Sequence, residues 1–248
     1  LHGYTTQYYM APAARPVNQN ISRFPFRWSE IIGKGNAEAF DQFGWLYYVR
    51  DQFDLYYPGY YDSWPSLNGA MGATYETDGG PALLKRRPDG TLLSLRDGIA
   101  KHFVASIATL ETTAGRARER VQEYLAFRQE AVTAGRGPGM QRVVWVPGAD
   151  PVRAASLAAA LQRGGIEVHR ATSGFGSLRA RGYMDGASAP RQFPAGAYVV
   201  DLAQPQGRLA RALLELEPQL DPVFAKAQLD KFARNTNRSA AQDSDGYE

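Results

Sequence analysis

The residues best suited to chemistry lie between Tyr56 and Glu76, in the run YYPGYYDSWPSLNGAMGATYE. Tyrosines, Trp64, prolines and glycines crowd this stretch, and it ends on one carboxylate, Glu76. Residues from Gly69 to Thr77 alternate loosely, which predicts a strand. A carboxylate delivered by a strand beside an aromatic, Gly-rich loop is a sound way to hold a general base on a rigid element. The plainer reading is a packed surface loop followed by a solvated glutamate. The three histidines are His2, His102 and His169. His102 stands one position off an apolar helical stripe, where a hydrogen-bonded structural histidine is the ordinary outcome and a metal ligand the alternative.

The start of the chain bears on that choice. Leu1-His2-Gly3-Tyr4-Thr5-Thr6 resembles the segment of zinc carboxypeptidases, the carboxypeptidase A-like metallopeptidases, that carries their third zinc ligand. Asp62 and Trp64, with Ser63 between them, stand before Glu76 much as an Asp-Trp pair precedes the catalytic Glu of that family. The run PGYYDSWPSLNGAMGATYE is most similar to a large bacterial branch with an additional carboxy-terminal domain. The resemblance covers residues 1–130 well and the remainder weakly.

The resemblance implies a zinc-dependent hydrolase cleaving peptide or small amide bonds near a free carboxylate, in a secreted or periplasmic protein. It makes His2 a metal ligand, Glu76 the catalytic acid/base, and Tyr57 and Tyr4 substrate-binding residues. Tyr56, Tyr60 and Tyr61 are rivals for the substrate-capping role of Tyr57, and all of them can also serve simply to pack the loop. The family's other two zinc ligands come from an H-x-x-E motif, and none of the three histidines here begins one. The sequence is therefore read as a carboxy-terminal piece holding half a site, expected by itself neither to retain zinc nor to hydrolyse substrate, because affinity needs several fixed ligands. Two other classes stay open: a non-catalytic module gripping a sugar or peptide with its Tyr/Trp-rich loop, and a zinc amide hydrolase of small acylated amino acids.

Composition narrows the field. The 248 residues are 44% hydrophobic and 21% charged, with a net charge of +3. Lys85-Arg86-Arg87 is the tightest basic run, so nothing points to nucleic acid. No apolar stretch nears the roughly 18 residues that span a bilayer. Cysteine is absent, which rules out disulfides and thiol nucleophiles.

The elements that must position these residues read as α/β in two parts, residues 1–134 and a smaller α/β domain over 142–248, joined by a linker (135–141). The resemblance implies that the first is the carboxy-terminal half of a carboxypeptidase-like mixed sheet with helices, and the second resembles the amidotransferase-like domain appended in that bacterial branch. Gly3 to Arg27, interrupted by Pro12, Pro16 and Pro25, reads as irregular, with Tyr4, Tyr8, Tyr9 and Met10 packing or lining a cleft. Asn36 is expected to cap a helix over Ala37–Arg50, with Phe40, Phe43 and Tyr47 facing the core. Arg87-Pro88-Asp89-Gly90 predicts a hairpin turn, and Ser94 with Asp97 a capping box opening a long helical period. Ile99, Phe103, Ile107 and Leu110 are expected to face inward, continued by Val121, Tyr124, Leu125 and Phe127, with Gly115 dividing two helices.

Beyond the Gly135–Gly139 stretch, Arg142–Val146 and Ile166–His169 are expected as strands around a helix from Pro151 to Arg163, making a parallel pair with a right-handed crossover. An irregular loop or hairpin over Phe175–Phe193, a strand over Ala197–Leu202, a helix over Gln206–Leu216 and a polar tail from Asn235 to Asp245 complete the pattern. The glycines form no dinucleotide or phosphate-loop fingerprint, and an amidotransferase-type Cys nucleophile is missing.

Overall fold

A computed structural model describes residues 7–51, 53–77, 83–184 and 186–234. The chain is mixed α/β, with seven helices and four small sheets among these residues. It divides into two compact units, Leu1–Tyr124 with Gln219–Glu248, and Leu125–Pro218.

In the first unit, β1 (Tyr8–Tyr9) precedes α1 (Arg23–Asp41), β2 (Tyr47–Tyr48), the short α2 (Ser63–Leu67), β3 (Leu84–Arg86), β4 (Leu92–Ser94), α3 (Leu95–Ala114) and the start of α4 (Ala117–Gly135). β1 pairs in parallel with β2, Tyr8 opposite Tyr47, and β3 with β4 form the expected antiparallel hairpin.

α1 begins earlier than the sequence suggested. Ser22, not Asn36, is its N-cap, the hydroxyl accepting from the Phe24 amide at 3.4 Å. Pro25 falls in the first turn, where its missing N–H breaks no bond, so the proline that looked like a breaker starts the helix. Phe24, Trp28, Ile32, Asn36 and Phe40 recur every four residues as a buried stripe. The helix ends at Asp41, and Gly44 follows at φ +63°, a left-handed conformation suited to glycine. Phe43 is therefore exposed and Tyr47 lies on a strand instead of a helix face.

α3 opens with the full capping box, Ser94 accepting from the Asp97 amide and Asp97 accepting from the Ser94 amide. Its buried face is the opposite of the expected one. Gly98, Lys101, Ala105 and Ala108 are inside, whereas Ile99, Phe103, Ile107 and Leu110 are exposed. Small residues explain this, because they let α1 and α3 approach closely. A Cβ on Gly35 of α1 would lie 2.2 Å from Thr112 Oγ1 of α3. Gly115 caps α3 and separates it from α4, and Val121 and Leu125 are likewise exposed.

The second unit comprises the end of α4, β5 (Arg142–Trp145), α5 (Pro151–Arg163), β6 (His169–Arg170), β7 (Phe175–Arg181), β8 (Ser188–Phe193), β9 (Tyr198–Asp201) and α6 (Gly207–Leu214). Asp150 caps α5 through the Arg153 amide with Pro151 at the first position, as expected. The expected adjacent parallel pair does not form. β9 lies between β5 and β6 and runs antiparallel to both, so the last strand in sequence occupies the middle. Its Val200, with Leu202 and Leu209, is fully buried.

Gly135 ends α4 against the Leu202 carbonyl, which a Cβ would meet at 2.1 Å, and the stretch to Gly139 turns the chain into β5. β7 and β8 form an irregular antiparallel hairpin. A further helix, α7 (Pro222–Arg234), was not anticipated; it belongs to the first unit, where Arg15 and Asp221 are 3.4 Å apart. The predicted polar tail lies outside the described residues.

Candidate functional site

Glu76 is held by its backbone. Its N–H donates to the Tyr9 carbonyl at 3.0 Å and its carbonyl accepts from the Tyr9 N–H at 2.9 Å, an isolated antiparallel bridge. The strand expected over Gly69–Thr77 is reduced to this one paired residue. β1 thus carries Glu76 on one edge and β2 on the other.

The neighbouring side chains are pinned to different elements. The Tyr75 hydroxyl accepts from Asn36 Nδ2 of α1 at 2.7 Å and lies 3.2 Å from Thr109 Oγ1 of α3. Thr109 Oγ1 donates in turn to Asn36 Oδ1 at 3.3 Å. Thr77 Oγ1 sits close against Gly98 of α3, within 2.7 Å of where a Cβ would be. Thr74 is drawn the other way, donating from Oγ1 to Asp62 Oδ2 at 2.6 Å.

Asp62 is buried and organises the loop. Its Oδ1 caps α2 at the Ser63 amide at 2.7 Å, and its carbonyl accepts from Ser66 Oγ at 2.8 Å. Gly72 packs directly on that carbonyl, where a Cβ would fall 1.8 Å from the oxygen. Outside this neck the aromatic rings are open to solvent. Tyr57 is 53% exposed and meets Tyr60 edge-on at 5.2 Å, while Tyr61 reaches Thr74 Oγ1 at 3.4 Å. Among the described contacts Tyr57 and Glu76 are not brought together. His2 and Tyr4 lie outside the described residues.

Tyr8, Tyr9 and Met10 are buried core residues, the packing role the sequence left open to them. The Tyr8 hydroxyl shares a 2.7 Å hydrogen bond with His102 Nδ1, their rings edge-on, so His102 is engaged as a structural histidine usually is. Tyr9 donates to the Phe53 carbonyl at 3.3 Å. Burial, reinforced by Tyr48, Asp62 and Asp51, holds the Tyr9 hydroxyl well above the ordinary tyrosine range near 10. Its folded-state value is raised, so the stability it contributes is complete below pH 10 and is lost as pH climbs toward the folded value, because the unfolded chain releases that proton first. We predict that stability falls with pH above 10 and that Tyr9→Phe flattens this fall, measured by urea unfolding between pH 9 and 11. An unchanged slope in Tyr9→Phe would remove Tyr9 as its source.

Among the described residues no group of three His, Cys, Asp or Glu side chains could hold a metal ion. The described donors alone therefore do not fit zinc, and His2, the one ligand implied by resemblance, is not among them. An open cleft of about 1100 Å3 is lined by Arg15, Asn18, Glu30, Arg50, Asp51 and Lys231 among others, and neither Glu76 nor Tyr57 belongs to its walls. No helix among the described residues is long and apolar enough to cross a membrane.

Sequence reasoning singled out Glu76 and the Asp62–Trp64 run, took Asn36 for a helix cap when it lies buried inside α1, and passed over Thr74 and Thr109. The available signal was Asn36 itself, a poor residue for a helix interior that needs a partner when buried. No protein-family model, no curated protein and no solved structure matches the chain.

Proposed function

We propose that the chain is the carboxy-terminal part of a zinc carboxypeptidase-like metallopeptidase, with Glu76 as general acid/base in cleaving a peptide or small amide bond beside a free carboxylate. The observation that supports it most is the reciprocal Tyr9–Glu76 backbone pair. It ties the GATYE segment to the strand that begins four residues after Tyr4 of the HGY motif. In this reading Glu76 takes the proton of the attacking water and returns it to the leaving amine, with Tyr57 and Tyr4 contacting the substrate. His2 would then be one zinc ligand, and the metal would supply a water of lowered pKa. In this reading residues 1–134 are the carboxypeptidase-like part and residues 142–248 an amidotransferase-like accessory domain. Secretion or a periplasmic location follows from the same resemblance.

The test is metal content. In the natural protein, His2→Ala should lower zinc affinity by 10–100-fold or more, read by elemental analysis after dialysis against a graded chelator. Unchanged zinc retention would overturn the ligand assignment. The exposed rings of Tyr57, Tyr60 and Tyr61 favour a second reading, a binding module that grips its ligand without hydrolysis. That reading requires ligand binding that survives both metal removal and Glu76→Gln with no product formed.

A further inference from the structure

We propose that Asn36 and Thr109 are positioning residues that act through the Tyr75 hydroxyl to fix the face on which Glu76 presents its carboxylate. This rests on the reading of Glu76 as the base.

Three polar groups from three separate segments close a ring: Asn36 Nδ2 to Tyr75 Oη at 2.7 Å, Tyr75 Oη to Thr109 Oγ1 at 3.2 Å, and Thr109 Oγ1 to Asn36 Oδ1 at 3.3 Å. Asn36 is fully buried in a stripe otherwise built from Phe24, Trp28, Ile32 and Phe40. An apolar side chain would fill that position without the desolvation penalty of an amide, so packing alone does not account for it. What the amide adds is direction, since a hydrogen bond holds the Tyr75 ring at one depth and orientation where an apolar contact tolerates sliding.

The direction matters because Tyr75 is next to Glu76. A residue in a β-bridge has extended backbone, and successive side chains there point to opposite faces. Tyr75 is bound to α1 and α3, and Thr77 packs on Gly98 of α3. Thr74 points to Asp62 on the other side. Glu76 accordingly shares the Asp62 face, away from the helices. A slip of one residue would exchange the two sets and turn the carboxylate toward Asn36 and Thr109.

Tyr75→Phe and Thr109→Val remove the hydroxyls with little change of volume, and Thr109→Ser restores one. With the natural protein and an N-acylated dipeptide bearing a free carboxylate as probe, we expect kcat to fall 10–100-fold in Tyr75→Phe and Thr109→Val. KM should stay within about twofold, and Thr109→Ser should recover most of the loss, since the fault lies in aim and not in binding. In 15N-labelled protein the Glu76 amide should exchange about tenfold faster in both variants, while amides near Ile32 of α1 keep their protection. An unchanged Glu76 exchange rate, or an unchanged kcat, in variants with native circular dichroism overturns the proposal. Full activity of Glu76→Gln is a different failure, which removes the base assignment itself and leaves the exchange rates to judge the positioning.

Discussion

On the proposed reading of Glu76 as general base, we expect Glu76→Gln to cut turnover sharply in the natural protein while leaving the fold and zinc content nearly unchanged. Both contacts that hold residue 76 to Tyr9 are made by backbone, so an isosteric side chain keeps them. What changes is basicity, because a carboxamide cannot take a proton from water. A positioned general base contributes about 10²–10⁴-fold, and kcat should fall through that range. Glu76→Asp keeps the base but withdraws it by one methylene, a displacement of about 1 Å that costs on the order of 10²-fold. Zinc content separates this role from that of a ligand. A Glu76→Gln protein with undiminished activity would end the assignment.

Phe40→Ala should be among the most damaging single core changes in the first unit. Phe40 has no exposed surface and belongs to one buried cluster with Tyr8, Met10 and Ala105. Its ring meets Tyr8 at 4.9 Å and, edge-on, Trp45 at 5.3 Å and Tyr47 at 6.1 Å. Truncating such a ring costs about 3–5 kcal/mol from lost transfer energy and the cavity left behind. Against the 5–15 kcal/mol of a typical domain, that is a large share. The guanidinium unfolding midpoint should drop accordingly with its slope unchanged. Phe43→Ala is the control. Phe43 stacks on Trp45 at 4.5 Å but is mostly exposed, so its loss should cost no more than about 1 kcal/mol. Equal effects at the two positions would mean that the cluster is not the core of this unit.

What the sequence made legible was local. The capping box at Ser94, the Asp150–Pro151 start of α5 and the Arg87–Gly90 turn each depend on residues within four positions of one another, and each formed as read. Readings that depended on a partner elsewhere fared differently. Pro25 looks like a breaker unless Ser22 is known to be the cap. The apolar period of α3 points to a core, yet the helix buries its alanines and Gly98, because α1 offers Gly35 and a close fit is available only between small residues. β9 is recognisable as a strand from its own residues, but nothing in them says that it will separate β5 from β6. The surroundings of Glu76 show the same division. The carboxylate and its aromatic approach are plain in the sequence, whereas Tyr9 is 67 positions away and Thr109 is 33, distances at which composition carries no pairing information.

The contact between Gly72 and the Asp62 carbonyl divides the loop into parts with different freedom to change. No side chain fits at position 72 unless the Asp62 backbone moves, and the Thr74–Asp62 bond lies just beyond it. The neck therefore works as a fixed clasp, while Tyr57, Tyr60 and Tyr61 display solvent-open rings outside it, of which Tyr61 alone reaches back to the clasp, at Thr74 Oγ1. For an engineer this is a ready-made display scaffold: a library randomised at those three tyrosines, with Asp62, Gly72 and Thr74 held constant, would vary the recognition surface while the path that delivers Glu76 stays the same.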